Sequence, residues 1–117
     1  MVNKAITFNS PYGELPVPTR TGYTFNGWYT AVSGGTLVNS STVFTRYENQ
    51  TLYAQWTPIT YTIFFDGNSH EFGTMDTQST VYDATAINLL KNAFKKIGYN
   101  FNSWNTKADG TGIKYTD

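Results

Sequence analysis

An α+β fold that is mostly β, built as two small tandem units, is predicted by three observations. The composition favours strands, a motif recurs along the chain, and one segment carries helical periodicity. Twenty of the 117 residues are Phe, Tyr or Trp, and Thr occurs 19 times. Aromatic and β-branched side chains suit a pleated, half-buried surface. Residues 22–30 read GYTFNGWYT and residues 98–106 read GYNFNSWNT. Six of these nine positions match at an offset of 76: Gly22/Gly98, Tyr23/Tyr99, Phe25/Phe101, Asn26/Asn102, Trp28/Trp104 and Thr30/Thr106. Self-similarity of this kind marks a structural unit used more than once.

Taken in chain order, alternation of apolar and polar residues predicts strands over Ala5–Asn9, Tyr23–Thr30, Thr51–Trp56, Tyr61–Asp66 and Ser79–Tyr82. Phe101–Thr106 should repeat Tyr23–Thr30, and Tyr115 is expected to begin a further strand. Strict alternation in Tyr23–Thr30 sends Tyr23, Phe25, Gly27 and Tyr29 to one face and Thr24, Asn26, Trp28 and Thr30 to the other. Turns fall at Ser33-Gly34-Gly35 and at Ala108-Asp109-Gly110-Thr111-Gly112. A helix is expected over Ala84–Lys96, capped by Asp83 and stopped at Gly98. Ala86, Ile87, Leu90, Ala93, Phe94 and Ile97 recur at helical spacing. The corresponding segment Glu14–Arg20 holds Pro16 and Pro18, which forbid a long helix and predict an extended or one-turn connector. Strand, strand, helical crossover, strand, strand is the order of a β-grasp unit.

The two copies are unequal. QTLYAQW at 50–56 has no counterpart after Trp104, and YTIFFDG at 61–67 has none before the first copy. The expected division is a first repeat over 1–57 lacking its opening strand, a linker over 58–60 stiffened by Pro58, and a second repeat over 61–117 lacking its closing strand. Incomplete sheets leave strand edges that need cover, so exchange of strands between chains is an expectation.

The blocks YGELPVPTRTGYTFNGWYTAVSGGTLV and TLYAQW resemble the Listeria–Bacteroides repeat, the class of the B-repeat in internalin-type surface proteins. The later half, with LLKNAFKKIGYNFNSWNTKADGTG, resembles a longer variant of the same repeat. The motif residues are Gly22, Tyr23, Phe25, Trp28, Leu52, Tyr53 and Trp56 in the first copy, and Gly98, Tyr99, Phe101 and Trp104 in the second. Ser103 departs from the motif, which has Gly there. The resemblance implies a small β-grasp-like fold, export, and a place in a tandem array on a bacterial surface. It implies no catalytic residues.

The residue chemistry narrows the function. Eight basic and eight acidic side chains cancel, which argues against a nucleic-acid binder. No Cys is present, so a disulfide framework, a thiolate metal site and a thiol nucleophile are excluded. His70 is the single imidazole and reads as a surface-loop residue. Asp109 stands alone in its loop, short of the several carboxylates a Ca²⁺ site uses. Lys91, Lys95 and Lys96 read as a solvated face. No apolar run approaches the ~20 residues of a membrane span. No signal peptide is visible, so Met1 is expected to begin an excerpt of a longer exported protein.

The aromatics remain. Trp28, Trp56, Trp104, Phe25 and Phe101 are expected to be largely buried, because a unit this small has little else to bury. Tyr12, Tyr29 and Tyr47 are the candidate ligand contacts. The expected function is a non-catalytic module, without cofactor, acting as a stalk and in adhesion or protein–protein interaction at the bacterial surface or cell wall. Its partners would be neighbouring repeats and a host-cell protein or glycan. The alternative is a carbohydrate-binding module using exposed Tyr and Asn side chains.

Overall fold

The computed structural model describes residues 3–117. It is mostly β, with small antiparallel sheets and no helix among the described residues. The chain divides into two compact units, Met1–Ile59 and Thr60–Asp117.

The first unit holds β1 (Tyr23–Tyr29), β2 (Leu37–Val38) and β3 (Tyr53–Pro58) in the order β2-β1-β3. β1 meets β2 through Trp28↔Val38 and Tyr29↔Leu37, and meets β3 from Tyr23↔Pro58 to Tyr29↔Tyr53. The ladder between β1 and β3 is interrupted between Phe25 and Gly27 by a bulge. A bulge adds one residue and so inverts the alternation beyond it. Phe25 and Trp28 therefore share a face, with rings 5.6 Å apart and 70° between planes. This corrects the strict alternation expected from the sequence. Gly27 makes it possible, because its φ of 136° is denied to side-chain-bearing residues.

On the shared face Trp56 lies 5.3 Å from Phe25, and Val38 beneath Trp28 is 4% exposed. Residues 9–13 run alongside 40–44 through Asn9 N to Phe44 O, Phe44 N to Ser10 O and Tyr12 N to Thr42 O. Ala5–Asn9 is not a strand, in correction of the sequence reading. The chain turns there, with Ser10 N on Thr7 O and Asn9 at a φ of 62°. Glu14–Thr19 is an irregular connector, as its prolines require.

The second unit holds two hairpin-like pairs: β4 (Thr60–Ile63) with β5 (Gln78–Val81), and β6 (Trp104–Asn105) with β7 (Lys114–Tyr115). Thr57 and Pro58 complete β3 and Thr60 opens β4, so Ile59 alone stands unpaired in the segment expected as a linker, and its N–H bonds Gly22 O.

Residues 84–96 are not helical, which corrects the α component of the expected fold and, with it, the β-grasp order. Their backbone groups find partners other than the i−4 carbonyl. Leu90 N donates to Gln78 Oε1 at 3.0 Å, Gln78 Nε2 to Asn88 O at 2.8 Å, and Asn92 N to Asp117 Oδ2 at 2.6 Å. Lys95 N and O exchange bonds with Phe72. Asn92 engages the Phe94 N–H and C=O with its own side chain, the local competition that makes Asn a weak helix former. Asp83 has a φ of 61°, outside the extended backbone of an N-cap.

Phe101–Thr106 forms only the two-residue strand β6. Pairing begins at Trp104 just as the β1–β2 pairing begins at Trp28; what extends β1 toward Tyr23 is its ladder with β3, and β6 pairs with β7 alone. Tyr61–Asp66 is likewise shorter than expected and ends at Ile63.

Candidate functional site

The element repeated in both units is a hairpin carrying an aromatic pair. In the first unit the loop between β1 and β2 is closed by Thr30: its N–H donates to Thr36 O at 3.1 Å, and its Oγ1 accepts from Thr36 N at 2.9 Å. In the second, Thr106 N donates to Ile113 O at 3.1 Å and Thr106 Oγ1 accepts from Ile113 N at 2.9 Å. Phe101 and Trp104 stand 5.1 Å apart at 62°, matching Phe25 and Trp28. The repeated residues thus build one local structure twice. Thr30 and Thr106 were visible among the six matches, but only the structure shows that they close the loop.

Loop closure is otherwise achieved differently. In the first unit Gln55 on β3 donates through Nε2 to Ala31 O at 3.0 Å and Gly34 O at 2.8 Å. In the second, Asn105 takes over from within the hairpin: Oδ1 accepts from Lys107 N and Gly112 N, each at 3.0 Å, and Nδ2 donates to Gly110 O at 3.2 Å. No periodicity in the sequence announced either role.

The tryptophans are half-buried, not largely buried as expected. Trp28 Nε1 donates to Pro16 O at 2.8 Å, which ties the proline connector to β1. Trp104 Nε1 is buried without a hydrogen-bond partner. Phe25 is half-buried beneath Trp56, whereas Phe101 is 44% exposed. Of the other motif residues, Gly22, Tyr23 and Leu52 are half-buried, whereas Tyr53, Gly98 and Tyr99 are exposed. Arg20 lies 3.8 Å over the Tyr23 ring, and Lys96 lies 4.6 Å over that of Tyr99.

The three tyrosines proposed as ligand contacts separate. Tyr12 is 5% exposed, packs edge-on against Phe44 and donates to Gln50 Oε1 at 2.7 Å. It is a core residue, in correction of the sequence reading; burial also holds its hydroxyl pKa above the ordinary tyrosine value, with Arg46 opposing. Tyr29 is half-buried and paired across the sheet with Leu37 and Tyr53. Tyr47 is 92% exposed and touches Phe8 through one ring face, with centroids 4.9 Å apart.

Titratable groups are dispersed. His70 packs on Phe94 with ring centroids 4.3 Å apart. Asp109 accepts from Thr111 N at 3.0 Å and Thr111 Oγ1 at 2.6 Å, which lowers its pKa. Among the described residues no group of three His, Cys, Asp or Glu could hold a metal ion, and no helix is long and apolar enough to cross a membrane.

A hairpin with an aromatic pair, built twice in succession, defines a tandem-repeat protein. The chain belongs to the Listeria-Bacteroides repeat domain family, whose model matches residues 1–55 and again 61–117. It is 41% identical over 99 residues to internalin H of Listeria monocytogenes, covering 84% of this chain and 17% of that protein. It is 38% identical over 104 residues to a putative Gly-rich membrane protein of Evansella cellulosilytica, covering 83% of this chain and 12% of the relative. A putative membrane protein of the same organism is 31% identical over 109 residues, 92% of this chain and 16% of the relative. The chain thus spans less than a fifth of each of these relatives. No solved structure matches it.

Proposed function

We propose that the chain is a non-catalytic tandem-repeat module of a bacterial cell-surface protein, serving as a stalk or spacer and as a surface for adhesion or protein–protein interaction. One observation carries the reading: each unit gathers its own aromatic cluster around the same hairpin, in immediate succession along the chain. A side-chain arrangement that recurs in every copy serves packing, and a packing unit that repeats sets length. The similarity to internalin H and to two membrane proteins supports an extracellular or cell-wall location within a longer exported protein.

Adhesion falls to exposed aromatics outside the repeated hairpin, of which Tyr47 stacked on Phe8 is the most accessible. The partner class is a host-cell protein or glycan, with no nucleic acid and no cofactor. Tandem fusions of one, two and three copies of the chain test the spacer role by small-angle scattering. Maximum dimension should rise in equal steps with copy number. Collapse of the three-copy form to a sphere-like particle would refute it.

A further inference from the structure

Asn26 is the one asparagine in the chain followed by glycine. That pair carries a reaction of its own. The amide nitrogen of the second residue can attack the side-chain carbonyl of the first, and glycine, with no Cβ, leaves the approach unhindered. Asn102, the matching asparagine of the second unit, is followed by Ser103 and is the hindered counterpart.

The fold places Asn26 where it can react and then restrains it. The β1–β3 register passes from Phe25↔Trp56 to Gly27↔Gln55, so Asn26 is the extra residue of the bulge and has no place in the ladder. The residue is exposed, so water reaches it. Yet its carboxamide is held at both ends by one hydroxyl. Nδ2 donates to Thr57 Oγ1 at 2.9 Å, and Thr57 Oγ1 donates to Oδ1 at 3.0 Å. Thr57 pairs with Thr24, which precedes Asn26 along β1. The carboxamide is thus drawn back along the strand, away from the Gly27 nitrogen on its other side. Attack requires it to leave Thr57 and swing forward.

We propose that Asn26-Gly27 is a gated self-modification site, a deamidation centre that consumes water and that Thr57 holds inactive while β1 and β3 are paired. In the first step Gly27 N bonds to Asn26 Cγ, the Cγ–Nδ2 bond breaks, and the Gly27 amide proton leaves with Nδ2 as ammonia. In the second, water opens the resulting five-membered imide and returns a proton to Gly27 N. Opening at Cγ gives an aspartyl residue. Opening at the backbone carbonyl gives an isoaspartyl residue, with one more carbon in the main chain. Neither step needs an oxidant or a reductant. Both products replace the amide with a carboxylate and take the Nδ2 donor from Thr57; the isoaspartyl product also lengthens the bulge ahead of Trp28. Local opening of β1 from β3 releases the amide, and modification before reclosure makes that opening irreversible. The pair therefore records how often the first unit opens.

The experiment follows the whole chain in mildly alkaline buffer, folded and in urea, by peptide mass mapping of the amide-to-acid conversion. In urea Asn26 should convert ahead of Asn102 and every other asparagine. In the folded chain it should convert about tenfold or more slowly, as expected when the bonds to Thr57 must break before attack. Thr57→Val keeps a strand-favouring side chain and removes the hydroxyl. Its folded rate should rise toward the urea rate, and Thr57→Ser, which keeps the hydroxyl, should restore the slow rate. Retained β1–β3 amide protection verifies that both variants are folded. A folded rate equal to or above the urea rate would overturn the gate, whatever the variants do. Thr57→Val converting as slowly as the unaltered chain, with protection intact, would overturn the part given to Thr57. No conversion of Asn26 in urea would overturn the site itself.

Discussion

Trp28 and Trp104 occupy equivalent places in their hairpins, yet the indole of Trp28 donates to Pro16 O at 2.8 Å and that of Trp104 is buried with no acceptor. The difference lies in the segments upstream. A proline-fixed connector presents a carbonyl to Trp28, and the irregular segment 84–96 presents none to Trp104.

Phenylalanine substitutions should separate the two sites. Trp28→Phe loses the bond, about 1 kcal/mol beyond the packing loss, with water taking up the exposed Pro16 carbonyl. Trp104→Phe removes an unsatisfied buried donor, so its cost should be the packing loss alone. Urea unfolding of the two single variants, each followed at amides of its own unit, checks the order.

Gly27 and Ser103 should respond unequally to exchange. Gly27→Ser forces a side chain onto a φ of 136° and brings its Cβ to 2.6 Å from the Leu37 Cδ1 position. The cost should be about 1–3 kcal/mol. Ser103→Gly meets no strand on the edge where β1 carries its bulge and should leave hydrogen-exchange protection at Phe101 and Asn102 unchanged. A rise there would show that Ser103, and not the lack of a partner strand, shortens β6.

The two glycines of the first hairpin loop differ by their surroundings. Both have positive φ, 67° at Gly34 and 75° at Gly35. A Cβ on Gly34 meets open space, whereas one on Gly35 would sit 2.8 Å from the Ala31 backbone nitrogen. Gly34→Ala should cost about 1 kcal/mol from conformation alone. Gly35→Ala should cost more, because backbone must move, and thermal melts of the pair should rank them so.

Two groups give pH signatures of opposite sign. The Thr111 bonds lower the Asp109 pKa, so their contribution is present above the unfolded-state pKa and fades as pH falls through the folded one. Thr111→Val should raise that pKa toward the ordinary aspartate value in an NMR titration. Burial raises the Tyr12 hydroxyl pKa, so the unfolded chain ionises first and stability is lost as pH climbs through the folded value. Tyr12→Phe should lose the Gln50 bond and flatten that alkaline loss.

The repeat, the strand composition and the proline-bound connector were legible because they depend on local sequence. The helix over Ala84–Lys96 was misread because periodicity records which residues are apolar, not where their backbone hydrogen bonds go. Gln78, Phe72 and Asp117 capture those groups from distances in sequence that no helical window spans, and Asn92 captures the Phe94 N–H locally. The facing of Trp28 was misread because one extra residue at Asn26 inverts everything after it. Tyr12 was taken for a contact residue because nothing nearby in sequence reveals Gln50 or Phe44 as its neighbours.

The junction between the repeats carries a consequence for resistance to proteolysis. Proteases bind their substrates as unpaired, extended stretches of several residues. Between the end of β3 at Pro58 and the start of β4 at Thr60 there is only Ile59, its amide already bonded to Gly22. The joint therefore offers no nick site, and digestion should begin in the irregular 82–94 stretch of the second unit. Two repeats joined this way would be trimmed from inside a repeat and not severed between them.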